Sequence, residues 1–141
     1  MKLEALLDWY ANMSPETLYA VCDFYHEQAR FRDPFNEVEG NTAIAAIFRH
    51  MFATTKEPEF EIGEVLRGES GVWVSWRFRC RIRGKSLSVE GVTQLEFCAD
   101  GRIINHRDFW DSAELLAQLP MIGTMVRYVQ EKLQAPQPSL T

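Results

Sequence analysis

The chain has 141 residues, of which 46% are hydrophobic, 12% aromatic and 25% charged, a balance that excludes disorder and collagen-like repeats. With 15 Lys and Arg against 20 Asp and Glu, the net charge of −5 disfavours a nucleic-acid surface and docking on anionic lipid. The length suits one domain, which at this size buries roughly 70% of its unfolded surface and needs no staples.

Residues 2–28 read as helical. Leu3, Leu6, Leu7 and Tyr10 share one face, and Ser14-Pro15-Glu16 restarts the helix with Ser14 as N-cap. Leu18, Val21, Cys22 and Tyr25 follow at helical spacing. A short strand is expected over Ala29–Phe35, with Phe31 and Asp33 on one side, and a loop over Asn36–Asn41. Asn41 or Thr42 opens a helix whose buried face carries Ile44, Ile47, Phe48, Met51 and Phe52, and Lys56-Glu57-Pro58 closes it.

From Pro58 to about Asp111 the pattern is β. Phe60, Ile62 and Val65 lie in one strand, with a bulge at Gly63. Val72–Ile82 alternates cleanly: Val72, Val74, Trp76, Phe78, Cys80 and Ile82 on one face, Arg77, Arg79, Arg81 and Arg83 on the other. Gly84-Lys85 is the expected turn into a strand whose inner face holds Leu87, Val89, Thr93, Leu95 and Phe97. Asp100-Gly101 turns into the last strand, with Ile104, His106, Asp108 and Trp110 on one side and Ile103, Arg107 and Phe109 on the other. Ser112 is expected to cap a helix over 113–118, and Ile122–Leu133 is a final amphipathic helix, either a lid or an interface.

The expected fold class is α+β: a cone-shaped curved antiparallel sheet wrapped around the N-terminal helices, with a C-terminal helix. Residues 1–134 form the domain and 135–141 a flexible tail. No run of about 18 apolar residues offers a membrane span. The N-terminus MKLEALLDWY has acids inside its apolar stretch and no small-residue cleavage site, so no secretory signal is expected. Cys22, Cys80 and Cys98 are widely spaced and form no zinc pattern, so no metal is expected and a reducing, cytoplasmic setting is.

Inward polar residues are the candidates for chemistry. Asp33, beside Phe31 and Phe35, is a carboxylate in apolar surroundings, which suits a general base; the plainer reading is an Asp-Pro turn whose carboxylate caps backbone N–H groups. His106 and Asp108 are two apart on a strand, hence on one face, and form either an acid–base pair or a satisfied polar pair. Thr93 adds a hydroxyl, and Trp76, Phe78 and Trp110 either line or fill the interior. His26 and His50 read as surface or packing residues on helices. The arginine stripe is expected to pair with Glu61, Glu64, Glu90 and Glu96 on neighbouring strands, or to meet a second subunit.

At FRDPFNEVEG (Phe31–Gly40) and GRIINHRDFWD (Gly101–Asp111) the chain resembles the nuclear transport factor 2-like superfamily, in its SnoaL-like and ketosteroid-isomerase-like branch. The resemblance implies the cone fold, an apolar pocket, a homodimer through the outer sheet face, and cofactor-independent chemistry on a small cyclic or carbonyl-bearing molecule. By resemblance, Asp33 matches the proton-shuttling carboxylate and Tyr10 the oxyanion-donating helix tyrosine, one residue closer to it than in that family. Thr93 stands where those isomerases carry a second, protonated acid, so the full donor pair is absent. Asp108 is similar to an acid of limonene-epoxide-hydrolase-like enzymes and of SnoaL-like cyclases. The Arg-x-Asp of the former is missing at Trp76-Arg77-Phe78-Arg79, which argues against epoxide hydrolysis. Two readings follow: an isomerase or cyclase with Asp33, Asp108, His106 and Tyr10 as catalytic groups and Phe31, Phe35, Trp76, Phe78, Thr93 and Trp110 around the substrate; or a non-catalytic module that binds an apolar ligand or dimerises.

Overall fold

The computed structural model describes residues 3–136, which fall into two compact units, one ending at Trp110 and one beginning at Asp111. The first unit opens with α1 (Leu3–Ala11), a 3₁₀ helix (Pro15–Ala20) and a single turn, α2 (Val21–Phe24). Ser14 is the N-cap of the 3₁₀ helix, as expected, and Thr17 Oγ1 accepts its backbone N–H at 3.0 Å. Trp9 Nε1 donates to the Thr17 carbonyl at 3.0 Å and ties α1 to this segment.

The chain leaves the helical state earlier than its periodicity suggests. Strand β1 is Tyr25–Arg32, so Tyr25 and His26 are strand residues and Cys22 is exposed. Segment 25–28 is drawn into the sheet because β1 pairs in parallel with the last strand, Tyr25 opposite Ile103 and Phe31 opposite His106. The loop expected after Asp-Pro contains an edge strand, β2 (Glu37–Glu39), antiparallel to β1. Gly40 precedes α3 (Asn41–Thr54) at φ 101°, a backbone state that favours glycine.

Strands β3 (Lys56–Arg67), β4 (Val72–Ile82), β5 (Lys85–Phe97) and β6 (Ile103–Trp110) form an antiparallel meander, and the six-stranded sheet runs β2-β1-β6-β5-β4-β3. It is a mixed α+β fold built on an open curved sheet. The register of β3 against β4 slips between Ile62 and Val65, which confirms the bulge at Gly63. Ser75 Oγ answers the Glu64 N–H exposed there, at 2.7 Å. The β4–β5 turn is Arg83-Gly84, both at positive φ, with Ile82 opposite Lys85, one residue earlier than expected.

Strand β6 carries a second correction. Phe97 faces Ile103 but Glu96 faces Asn105, so Ile104 is an extra residue in a bulge. Ile103 is therefore fully buried, and alternation resumes with His106 and Asp108 inward. On the outer face the arginine stripe pairs across strands: Arg77 with Glu90, and Arg79 with Glu61 at 2.9 Å.

The core lies between the concave face of the sheet and the early helices. Leu6, Trp9, Tyr10, Leu18, Val21, Tyr25, Phe31, Ile44, Phe48, Val74, Leu95 and Ile103 are buried in one cluster. Trp9 packs on Phe24 and meets Phe48 edge-on at 5.8 Å. No helix among the described residues is long and apolar enough to cross a membrane.

The second unit holds α4 (Ser112–Leu116) and α5 (Ile122–Leu133). Asp111, not Ser112, is the cap of α4: its carboxylate accepts the Ala113 N–H at 2.9 Å. Gly123 is buried where the Ala117 carbonyl comes too close to admit a Cβ. Residues 137–141 of the expected tail lie outside the described residues.

Candidate active site

Side chains from α1, β1, β4, β5 and β6 join in one buried hydrogen-bonded chain. Trp76 Nε1 donates to Thr93 Oγ1 at 2.8 Å. Having accepted that proton, the Thr93 hydroxyl donates to Asp108 Oδ1 at 2.5 Å. His106 Nε2 reaches the same oxygen at 2.7 Å. His106 Nδ1 lies 2.8 Å from the Tyr25 hydroxyl, which lies 2.6 Å from the Tyr10 hydroxyl. With Asp108 as acceptor, Nε2 carries the proton; the neutral ring then accepts from Tyr25 at Nδ1, and Tyr25 from Tyr10.

Each link follows from strand geometry. Thr93 is directly opposite Asp108 across β5 and β6, and Val74 is opposite Thr93 across β4 and β5. Leu95 on one side and Phe31 on the other flank His106. The imidazole is enclosed by rings: Phe31 at 4.5 Å, Tyr25 stacked at 5.9 Å and Tyr10 edge-on at 6.3 Å. His106 and Thr93 are each only 5% exposed, so their bonds to Asp108 are shielded from competing water.

Both donors to Asp108 land on Oδ1. Among the described residues every fully enclosed side-chain nitrogen or oxygen has a partner, so Oδ2 opens onto accessible space. Asp108 also lines a cavity of about 30 Å³, together with Tyr10, Phe48, Phe60, Ile62, Val74, Trp76, Thr93 and His106. It is room for water and not for an organic ring. Asp108 is the only carboxylate on its wall, and no Lys or Arg lines it. Burial pushes the Tyr10 hydroxyl far above its ordinary value, against the bond from Tyr25 that lowers it; burial and the Tyr10 neighbour do the same to Tyr25. Both are therefore neutral donors at physiological pH. Among the described residues no three His, Cys, Asp or Glu side chains converge as a metal site.

The structure brings together Tyr10, His106, Asp108, Thr93 and Trp76 of the expected site, but not Asp33. Asp33 lies past the end of β1, and its Oδ1 accepts the N–H groups of Phe35 at 2.8 Å and Asn36 at 2.6 Å. The Asn36 amide engages both carboxylate oxygens. Asp33 is thus the cap of an Asp-Pro turn and does not line the cavity, and the apolar setting expected from Phe35 fails because Phe35 is 61% exposed. Phe31 backs His106 and lies behind the cavity wall, Phe78 packs on Phe60 at 4.8 Å, and Phe35 meets Trp110 edge-on at 5.2 Å. Sequence reasoning missed Tyr25, Phe48, Phe60, Ile62 and Val74 as wall or network residues. A strand start at Tyr25 would have placed its hydroxyl on the inward face.

The sequence matches the SnoaL-like domain family over residues 6–106. A comparison with curated protein sequences finds no match. Among solved structures, a protein of ketosteroid isomerase-like fold from Catenulispora acidiphila superposes with a TM-score of 0.72 at 17% identity, covering 84% of this chain and 93% of that one. A protein from Jannaschia sp. CCS1 assigned as a SnoaL-like polyketide cyclase has a TM-score of 0.72 at 19% identity, covering 84% and 91%. An epoxide hydrolase of the limonene-epoxide-hydrolase-like type from M. tuberculosis has a TM-score of 0.67 at 20% identity, covering 96% and 92%. At these identities the likeness establishes the fold.

Two outcomes are expected. Asp33→Ala should lose about 1 kcal/mol in urea unfolding, the worth of a cap, and leave the NMR titration of His106 unchanged; a shifted titration would tie Asp33 to the cluster. Unfolded tyrosines ionise near pH 10.0, whereas folded Tyr10 and Tyr25 hold their protons. Their contribution to stability is complete below that pH and is lost as pH rises beyond it. The melting temperature of a Tyr10→Phe, Tyr25→Phe double variant should therefore fall less steeply above about pH 10 than that of the wild type; equal slopes would show that the hydroxyls ionise freely in the fold.

Proposed function

Because the chain belongs to the SnoaL-like domain family, we propose that it is a cofactor-independent isomerase or cyclase that moves a proton on a small, uncharged, carbonyl-bearing ring. The observation that carries this reading is that Asp108, whose two donors both fall on Oδ1, and Tyr10 line one apolar cavity and are joined through His106 and Tyr25 by hydrogen bonds. Asp108 takes a proton from a carbon next to the carbonyl and returns it to another position. Tyr10 donates to the oxygen on which charge develops. To serve the substrate, the Tyr10 O–H turns from Tyr25 to the substrate oxygen, while Tyr25 goes on donating to His106 Nδ1. An interior with one carboxylate and no cation suits an uncharged substrate and disfavours an anionic one. Asp33, held in its turn, has no part in this chemistry.

Exchange of the acidic C–H protons of 2-cyclohexenone in deuterated water, followed by NMR, tests this reading. The wild type should exchange them faster than buffer, and Asp108→Asn should cut the excess rate at least about 100-fold. No excess over buffer, or exchange that survives Asp108→Asn, would sink it. The small cavity favours the second reading, a non-catalytic binding or dimerisation module. That reading would be upheld if a ligand of the cavity is recovered chemically unchanged.

For the quaternary state we propose a homodimer through the outer sheet face. Trp73 and Phe109 are 37% and 39% exposed there, their rings tilted against each other at 5.8 Å, with the Arg107 guanidinium over Phe109 at 4.4 Å. Nearby, Arg30 and Arg32 stand opposite Glu39 and Glu37, a charge pattern that a two-fold axis can match to itself. Analytical ultracentrifugation should find a dimer for the wild type and a monomer for Trp73→Lys with Phe109→Glu; a monomeric wild type would overturn this.

A further inference from the structure

The cavity beside Asp108 is too small for the ring substrate proposed above, and one side chain accounts for this. Trp76 lies directly across β4 and β5 from Gly91. A Cβ at Gly91 would stand 2.5 Å from the Cζ2 and Cη2 atoms of the indole, so an edge of the ring fills the space that a side chain at Gly91 would take. Glycine in the middle of a strand weakens it, and often marks a place where something approaches the backbone closely. Here the indole does so. Its one hydrogen bond is to Thr93 Oγ1, the atom that donates a hydrogen bond to Asp108. No other ring on the cavity wall combines these properties. Phe48 and Phe60 carry no polar atom, Tyr10 is bonded to Tyr25, and His106 is bonded to Tyr25 and Asp108.

We propose that the Trp76 indole occupies the substrate's own place, and that the molecule that displaces it is a flat ring carrying an O–H or N–H, such as the enol of a cyclic ketone. This rests on the proton-transfer reading of the site. The displacing ring lies on the Gly91 backbone as the indole does. Its donor replaces Nε1 at Thr93, so the Thr93 bond to Asp108 is kept. A ring without a donor leaves the Thr93 Oγ1 acceptor unpaired on its outer side and binds more weakly, because a buried acceptor deprived of its partner is costly. Gly91 thus leaves room for the ring and Thr93 selects for the donor, and Trp76 keeps the site shut when no such ring is offered.

Phenol, a stable enol, and anisole, its methyl ether without the donor, test this on the full chain labelled with 5-fluorotryptophan. Fluorine NMR resolves the tryptophans, and the resonance missing from Trp76→Phe identifies Trp76. Phenol should move that resonance saturably, with an affinity at least 10-fold above that of anisole. The preference should vanish in Thr93→Val. Equal affinity for the two rings, phenol binding seen on its own signals without movement of Trp76, or no movement of Trp76 with either ring would each overturn the proposal. Proton exchange on 2-cyclohexenone, measured on the same samples, keeps the two questions apart. Displacement without exchange removes the chemistry and leaves the ligand class; exchange without displacement does the reverse.

Discussion

A carboxylate inside an apolar cone must be answered by donors, and Asp108 is answered twice on one oxygen, by His106 and by Thr93. Much of the interior is arranged around those two bonds. His106 is brought to Asp108 by their spacing on β6, and it is held upright by Tyr25 and by the Phe31 ring. Tyr25 reaches it only because β1 runs parallel to β6 and alongside it. Tyr10 reaches Tyr25 only because α1 packs into the concave face, where Trp9 and Leu6 are buried with it. An unpaired charge in such a place would cost several kcal/mol. The chain of partners is what makes a buried acid tolerable at all.

The same arrangement leaves the acid usable. A carboxylate with all its lone pairs engaged is a structural element; one with an open oxygen, on a side chain that lines an enclosed, apolar space, is a base in waiting. The enclosure matters because electrostatic interactions are stronger away from water. Outside the cone the charges behave differently. Arg77 with Glu90 and Arg79 with Glu61 are solvent-exposed pairs on the outer face, and such pairs contribute little to stability. The arginine stripe is thus a property of the sheet's exterior and has no bearing on the chemistry within.

The fold is shared with proteins described as a polyketide cyclase and an epoxide hydrolase, which is a reminder that a scaffold does not dictate a reaction. What distinguishes this chain is the set of polar groups that alternate inward on β5 and β6: a threonine and a His-x-Asp, with no arginine among them. Gly91 belongs to the same set by position, since its missing side chain lets the indole lie where it does.

The sequence by itself determined the β meander, because two-residue alternation over Val72–Ile82 and Leu87–Phe97 is a local signal that burial on one face enforces. It also determined that His106 and Asp108 share a face, and that Gly63 breaks β3. The tertiary structure alone decided the fate of segment 25–28. Its helical spacing was overridden by pairing with β6, a strand some eighty positions away. The bulge at Ile104, which buries Ile103, is a matter of register between two strands and leaves no mark in either one. Asp33 could be read as base or cap, and in the fold its carboxylate accepts the N–H groups of its own turn. Local patterns specify which face a residue takes, but which faces meet is set by long-range packing, and the Tyr10–Tyr25–His106–Asp108 chain exists only at that level.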